Sequence, residues 1–229
     1  MRIVTVAQQK GGVAKTTLAI HIAAEATRKG RRAVILELDR QGTASRWSEL
    51  RPYTADSQDL LKGVDRAKVP PEVVYADATR LDAALSALAG AGVDLTVIDL
   101  PGTHSPAITP AIRAADFILI PSRPNETDLV ASRETLASVE RLGKRCAYVL
   151  TFIPSTGSRE SEAREALEEQ GYTVAPGGLS LLNDFADAIG AGQTVQERKS
   201  ARKAAEQVRT LWKWLEKKLD EQGAEKDVQ

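Results

Sequence analysis

Short, nearly continuous apolar runs recur at residues 3–7, 33–38, 95–99, 117–121 and 147–151. They are rich in Val, Ile and Leu and show little alternation. Strands covered on both faces have this character, and parallel sheets are covered on both faces. Between the runs, apolar residues fall three and four apart. Examples are Leu81, Ala84, Leu85 and Leu88, and further on Leu129, Ser132, Leu136 and Val139. Strands alternating with helices predict an α/β fold, a doubly wound, mostly parallel sheet flanked by helices and joined by right-handed crossovers. Residues 52–76 are less regular, with Pro52, Pro70 and Pro71 interrupting them and Val73-Val74-Tyr75 as a further candidate strand. No internal repeat or low-complexity linker is present. The expected organisation is one domain over residues 1–220 and a frayed polar tail over 221–229.

In a doubly wound sheet, ligands bind beyond the carboxyl ends of the strands. Three features fall there: the loop after the first run, Asp39 and Asp99. The loop reads Gln9-Lys10-Gly11-Gly12-Val13-Ala14-Lys15-Thr16-Thr17 and leads into an apolar-periodic segment at 18–24. Strand, glycine loop and helix in that order bring backbone N–H groups and a helix N-terminus to one point, where a phosphate chain would sit. Lys15 would reach the terminal phosphates, and the Thr16 hydroxyl would join a Mg²⁺ shell. The standard P-loop pattern asks for Gly at positions 9 and 14, where this chain has Gln9 and Ala14. It has instead a second lysine, Lys10, just before the glycine pair.

Composition narrows the partners. The chain has 229 residues, enough to bury a substantial core, with 42% hydrophobic and 27% charged residues. Basic and acidic side chains balance at 31 each, so attraction to nucleic acid must come from a local patch. The single cysteine, Cys146, excludes an intrachain disulfide and cannot supply a zinc or iron–sulfur site alone. That usage suits a reducing, cytoplasmic setting. No apolar stretch approaches the ~18 residues of a membrane span, and the N-terminus lacks a signal-peptide layout. His21 and His104 lack ligand spacing, and His21 is expected to be a packed or half-exposed helix residue.

The pattern K-G-G-x-x-K-T-T resembles the deviant Walker A motif of the ParA/MinD family of ATPases. Further matches follow. Glu37-Leu38-Asp39-Arg40-Gln41-Gly42 resembles the family's D-x-D-P-Q-G, with Glu37 and Arg40 as departures. Asp99-Leu100-Pro101-Gly102 resembles its Walker B continuation, with Gly102 suited to a second switch. The stretches 114–121 and 185–197 resemble two later family segments. The similarity runs from residue 3 to about 215 and is closest to the small, Soj-like or ParF-like ParA type without an N-terminal helix-turn-helix. It implies a P-loop NTPase fold with ATP/ADP and Mg²⁺ as cofactors. Residues 10–17 (Lys10, Gly11, Gly12, Val13, Ala14, Lys15, Thr16, Thr17) would bind the nucleotide. Thr16, Asp39 and Asp99 would serve the metal, and Asp39 would orient the attacking water. Lys10 would reach the partner's nucleotide across an ATP-bound homodimer. Asp116 is expected to be a cap or loop contact, and Thr151 stands where relatives often carry an asparagine near the adenine.

Residues 198–219 hold eight basic side chains against Glu206 and Glu216, over an apolar stripe at helical spacing from Ala201 to Leu219. A solvated surface helix, a sequence-independent DNA surface and a membrane-surface helix all fit that pattern. The resemblance favours DNA, with Arg198, Lys199, Arg202, Lys203 and Arg209 as contacts and nucleoid association as the consequence. The alanine-rich stripe and the acidic tail argue against the membrane. The implied activity is a partition ATPase: Mg-ATP-dependent dimerisation, non-specific DNA binding, and hydrolysis stimulated by a ParB-like or other adaptor. A MinD-like membrane-surface organiser and a small-molecule ATP-dependent ligase remain as alternatives.

Overall fold

The computed structural model describes residues 1–51, 70–103 and 105–226. His104 and residues 52–69 lie outside the described residues. Among the described residues seven strands form one sheet: β1 (Arg2–Val6), β2 (Ala33–Glu37), β3 (Glu72–Tyr75), β4 (Leu95–Asp99), β5 (Phe117–Ser122), β6 (Cys146–Ile153) and β7 (Leu179–Ser180). Their order is β3-β2-β4-β1-β5-β6-β7, and every pairing is parallel. The doubly wound reading holds, and Val73-Val74-Tyr75 is a strand. β1 is central, so the loop after it sits where the winding reverses, the position at which such sheets bind ligands.

Eight α-helices cover the sheet among the described residues: α1 (Lys15–Arg28), α2 (Thr43–Glu49), α3 (Leu81–Gly90), α4 (Ile108–Ala114), α5 (Glu126–Arg141), α6 (Arg159–Glu169), α7 (Asn183–Gly190) and α8 (Arg202–Lys226). Successive strand residues face opposite layers. Ile35, Val97, Leu119 and Val149 pack with α1 and α8, whereas Leu36, Ile98, Ile120 and Leu150 pack with α3, α4, α5 and α6. Burial on both faces explains why the strands read as unbroken apolar runs.

The stripe of α8 is buried as expected, from Ala201 and Ala204 through Val208, Leu211 and Trp212 to Leu215 and Leu219. Two boundaries differ from the sequence expectation. The helix begins at Arg202, leaving Arg198 and Lys199 in the preceding turn. It also continues to Lys226, through residues expected to fray. The buried stripe fixes the helix against the sheet.

Candidate functional site

The loop after β1 owes its shape to two left-handed residues. Gly12 has φ 70°, and Ala14 has φ 67° and ψ 31° at the N-cap of α1. Position 14 is where the standard pattern asks for glycine, and the backbone shows why: an alanine there carries a steric cost that glycine avoids. Side chains hold three of the loop's carbonyls. Lys15 Nζ donates to Lys10 O at 2.8 Å, an Arg123 Nη donates to Gly12 O at 2.7 Å, and Thr151 Oγ1 donates to Val13 O at 3.2 Å. The buried Thr151 hydroxyl thus braces the loop.

The two lysines have different surroundings. Lys15 is buried, and burial lowers its pKa while Asp99 and Asp39 oppose that shift. Lys10 is more open, and its ammonium is ion-paired with the buried Asp128 on α5. Asp128 lies 118 residues away along the chain, and no local pattern marks it as a partner of the loop.

Strand register sets Val6, Asp99 and Glu37 side by side at the carboxyl edge of β1, β4 and β2. Asp99 is fully buried, and its carboxylate oxygens lack a well-formed hydrogen bond, although the Thr16 hydroxyl bears on them. Burial, with Glu37 and Asp39 nearby, raises its pKa from 3.8 to about 7, while Thr16 and Lys15 pull it down. An unpartnered buried carboxylate is costly unless a cation meets it. Beside the Thr16 hydroxyl, Asp99 fits a hard divalent ion. Among the described residues no group of three or more His, Cys, Asp or Glu could hold a metal. Mg²⁺ does not require one, since it is commonly held by one or two carboxylates plus substrate phosphates. Asp39, just past β2, is half-buried, and its Oδ1 accepts from Gln41 N at 3.0 Å.

Glu37, which replaces the family's first aspartate, is buried beside Asp99 and committed to backbone N–H groups. Its two carboxylate oxygens accept from Ala44 N at 2.7 Å and Ser45 N at 3.1 Å, capping the short helix α2. Arg40 is exposed and pairs with Asp77 at 3.4 Å. Asp116 is a loop contact as expected, accepting from Ile3 N at 2.8 Å.

Gly102 touches the phosphate loop. A Cβ on it would lie 2.8 Å from Gly11 Cα and 3.2 Å from Lys15 Nζ. Gly102→Ala must therefore displace the loop or its lysine. The expected result is at least about a tenfold loss of ATP affinity, since about 1.4 kcal/mol of lost contact suffices. Isothermal titration checks this, and unchanged affinity would show that the loop yields freely.

His21 is fully buried rather than half-exposed. Its Nδ1 lies 2.7 Å from Thr17 O, and its Nε2 accepts from Val195 N at 3.2 Å. That pairing places the proton on Nδ1, and burial lowers the pKa to about 4, keeping the ring neutral. The segment it meets is also held from α2 and the residues after it. Trp47 Nε1 donates to Gln193 O at 2.9 Å, and Arg51 donates to Gly192 O at 2.7 Å and pairs with Glu197. This segment leads into the basic residues. Lys199, Arg202 and Lys203 are exposed, Arg198 is half-buried against Gln193, and Arg209 pairs with Glu206 at 2.8 Å. The fold thus gathers Lys10, Lys15, Thr16, Asp39 and Asp99 at one sheet edge, and the basic residues follow the segment that His21, Trp47 and Arg51 hold.

The family model of the ATPase MipZ matches residues 2–142. Protein IncC of Escherichia coli is 26% identical over 96% of this chain and 70% of its own length. The maintenance of carboxysome distribution protein A of Halothiobacillus neapolitanus is 30% identical, over 90% of this chain and 92% of its own. The septum site-determining protein MinD of Pyrococcus horikoshii, solved with Mg-ADP, superposes with a TM-score of 0.70 at 16% identity, covering 92% of this chain and 94% of that one. Among the described residues no helix is long and apolar enough to cross a membrane.

Proposed function

The chain belongs to the ParA/MinD family of partition and positioning ATPases, and from that footing we propose that it binds and hydrolyses Mg-ATP, dimerises with ATP bound and holds DNA non-specifically in that state. The observation that carries this reading is the contrast between the two loop lysines. Lys15 is sunk beside Asp99 and Asp39, placed to neutralise the phosphates of its own nucleotide. Lys10 is half-exposed and paired with one carboxylate, and it would exchange that partner for a nucleotide on a second subunit. Asp99 and Thr16 would hold the Mg²⁺, which neutralises charge on the transferred phosphoryl group when bound. Asp39 would position the attacking water, since phosphoryl transfer depends mostly on placement and charge stabilisation.

Lys199, Arg202 and Lys203 supply an exposed cationic surface beyond the segment held by His21, Trp47 and Arg51. Phosphate contacts alone make such a surface a DNA site without base recognition. Hydrolysis, stimulated by an adaptor protein, would return the protein to a state with lower DNA affinity. The cycle would move DNA or another cargo.

The test is binding to random-sequence duplex DNA with no nucleotide, with ADP and with a slowly hydrolysed ATP analogue, across a salt series. Lys199, Arg202 and Lys203, doubled in a dimer, predict a log–log salt slope of about −5 in the ATP state alone. Absence of DNA binding in every state, with turnover intact, would sink the DNA part of the reading. Co-sedimentation with anionic vesicles would then test the membrane alternative.

A further inference from the structure

The pair between Lys10 and Asp128 poses an energetic problem for the proposed cycle. Asp128 is 3% exposed and sits in the first turn of α5, where its own N–H donates to Asn125 Oδ1 at 2.9 Å. Its Oδ1 meets Lys10, while its Oδ2 has no hydrogen-bond partner. If Lys10 leaves for a nucleotide on a second subunit, a buried carboxylate loses its strongest counter-charge. Breaking a buried pair in that way is strongly destabilising. In a two-fold dimer the cost is met twice.

A second cation stands beside Asp128. Arg123 Nε lies 3.7 Å from Asp128 Oδ2, on the side away from the Lys10 contact. The guanidinium is already held in place. It donates to Gly12 O at 2.7 Å and lies 4.6 Å from the centroid of the Phe152 ring. Phe152 takes φ 51°, a conformation that few non-glycine residues adopt. A preordered guanidinium can take a carboxylate bidentately with little further loss of freedom.

We propose that Arg123 is a positioning residue for dimer formation: it takes over Asp128 when Lys10 crosses to the partner's nucleotide, so that the transfer leaves no unpaired buried charge. The inference rests on the cross-subunit role of Lys10 proposed above. It assigns the extended loop after β5 to exchange of ion pairs rather than to nucleotide contact. Asp128 then opposes dimerisation by holding Lys10, and Arg123 lowers the cost of release.

The experiment is a double-mutant cycle read as the dimer dissociation constant, measured by analytical ultracentrifugation with a slowly hydrolysed ATP analogue. Arg123→Gln should raise the constant by at least about tenfold, since an unpaired buried carboxylate remains on each subunit. Arg123→Lys keeps a cation beside Asp128 but loses the fork and the ring contact, and should fall between wild type and Arg123→Gln. Asp128→Asn should tighten the dimer, and adding Arg123→Gln to it should change the constant less than about twofold. If Arg123 acts only by bracing the loop through Gly12 O, Arg123→Gln will weaken the Asp128→Asn protein as much as it weakens wild type. That result, or a wild-type constant for Arg123→Gln alone, overturns the proposal. Lys10→Ala separates the two levels of argument. If it dimerises like wild type, the cross-subunit reading of Lys10 fails. If it remains monomeric while Arg123→Gln behaves as wild type, only the exchange fails.

Discussion

Lys15→Ala is expected to lower ATP affinity at least about a hundredfold, equivalent to about 2.8 kcal/mol. The lysine is buried, with Asp99 and Asp39 acting on it and its Nζ held by Lys10 O at 2.8 Å. Burial works against its charge, and the two carboxylates restore it. A polyphosphate brought to this edge meets two acids, so the ammonium is what converts a repulsive field into an attractive one. Charge-assisted hydrogen bonds in a low-dielectric site contribute roughly 1.5–3 kcal/mol each, and one ammonium can make two of them. Titration with ATP and ADP reads the loss directly, and circular dichroism confirms that the variant is folded. Wild-type affinity in a folded Lys15→Ala protein would remove the loop at residues 10–17 from nucleotide binding. Thr16→Ala should leave more affinity intact, since it removes one hydroxyl and no charge.

How much of this was legible in the sequence depends on how far apart the interacting residues lie. The strands could be read because each is covered on both faces, so their apolar runs are local signals. The glycine loop could be read because strand, loop and helix are contiguous. The buried stripe of α8 was visible as periodicity, although its start and end were misplaced by a few residues. What sequence could not supply is the set of contacts between distant segments. Asp128 meets Lys10, Arg123 meets Gly12, and His21 meets Val195, at separations of 118, 111 and 174 residues. Their residue types carry no local mark of a partner, and only the topology of the sheet brings them together. Glu37 is a different case. It departs from the family's aspartate, and nothing in the local sequence shows what the longer acid does. The structure shows instead a cap on α2, which begins only six residues later.

Asp99→Asn should have opposite effects on stability and on function. In the nucleotide-free protein, kept in chelator, Asp99 has a pKa raised from 3.8 to about 7 by burial. A carboxyl whose folded pKa is raised holds its proton longer in the native state than in the unfolded chain. Its contribution to stability is therefore complete below about pH 4 and drains away as the pH rises toward 7. At about 1.36 kcal/mol per unit, the upper bound on the loss is about 4 kcal/mol. Asparagine has no proton to lose, so the variant should be the more stable protein at pH 8. The gain should be at least about 5 °C in the unfolding midpoint, since 1 kcal/mol shifts a domain of this size by about 2–4 °C. The two midpoints should converge as the pH falls toward 4. With Mg-ATP the order should reverse. Wild type gains a carboxylate–Mg²⁺ contact that asparagine supplies poorly, and turnover in the variant should fall at least about a hundredfold. Thermal unfolding across pH, with and without Mg-ATP, and phosphate release together decide the matter. A variant less stable than wild type at pH 8 in chelator would mean that Asp99 has a compensating partner of its own and is not held ready for a cation. A variant that gains as much as wild type from Mg-ATP would place the metal on other oxygens.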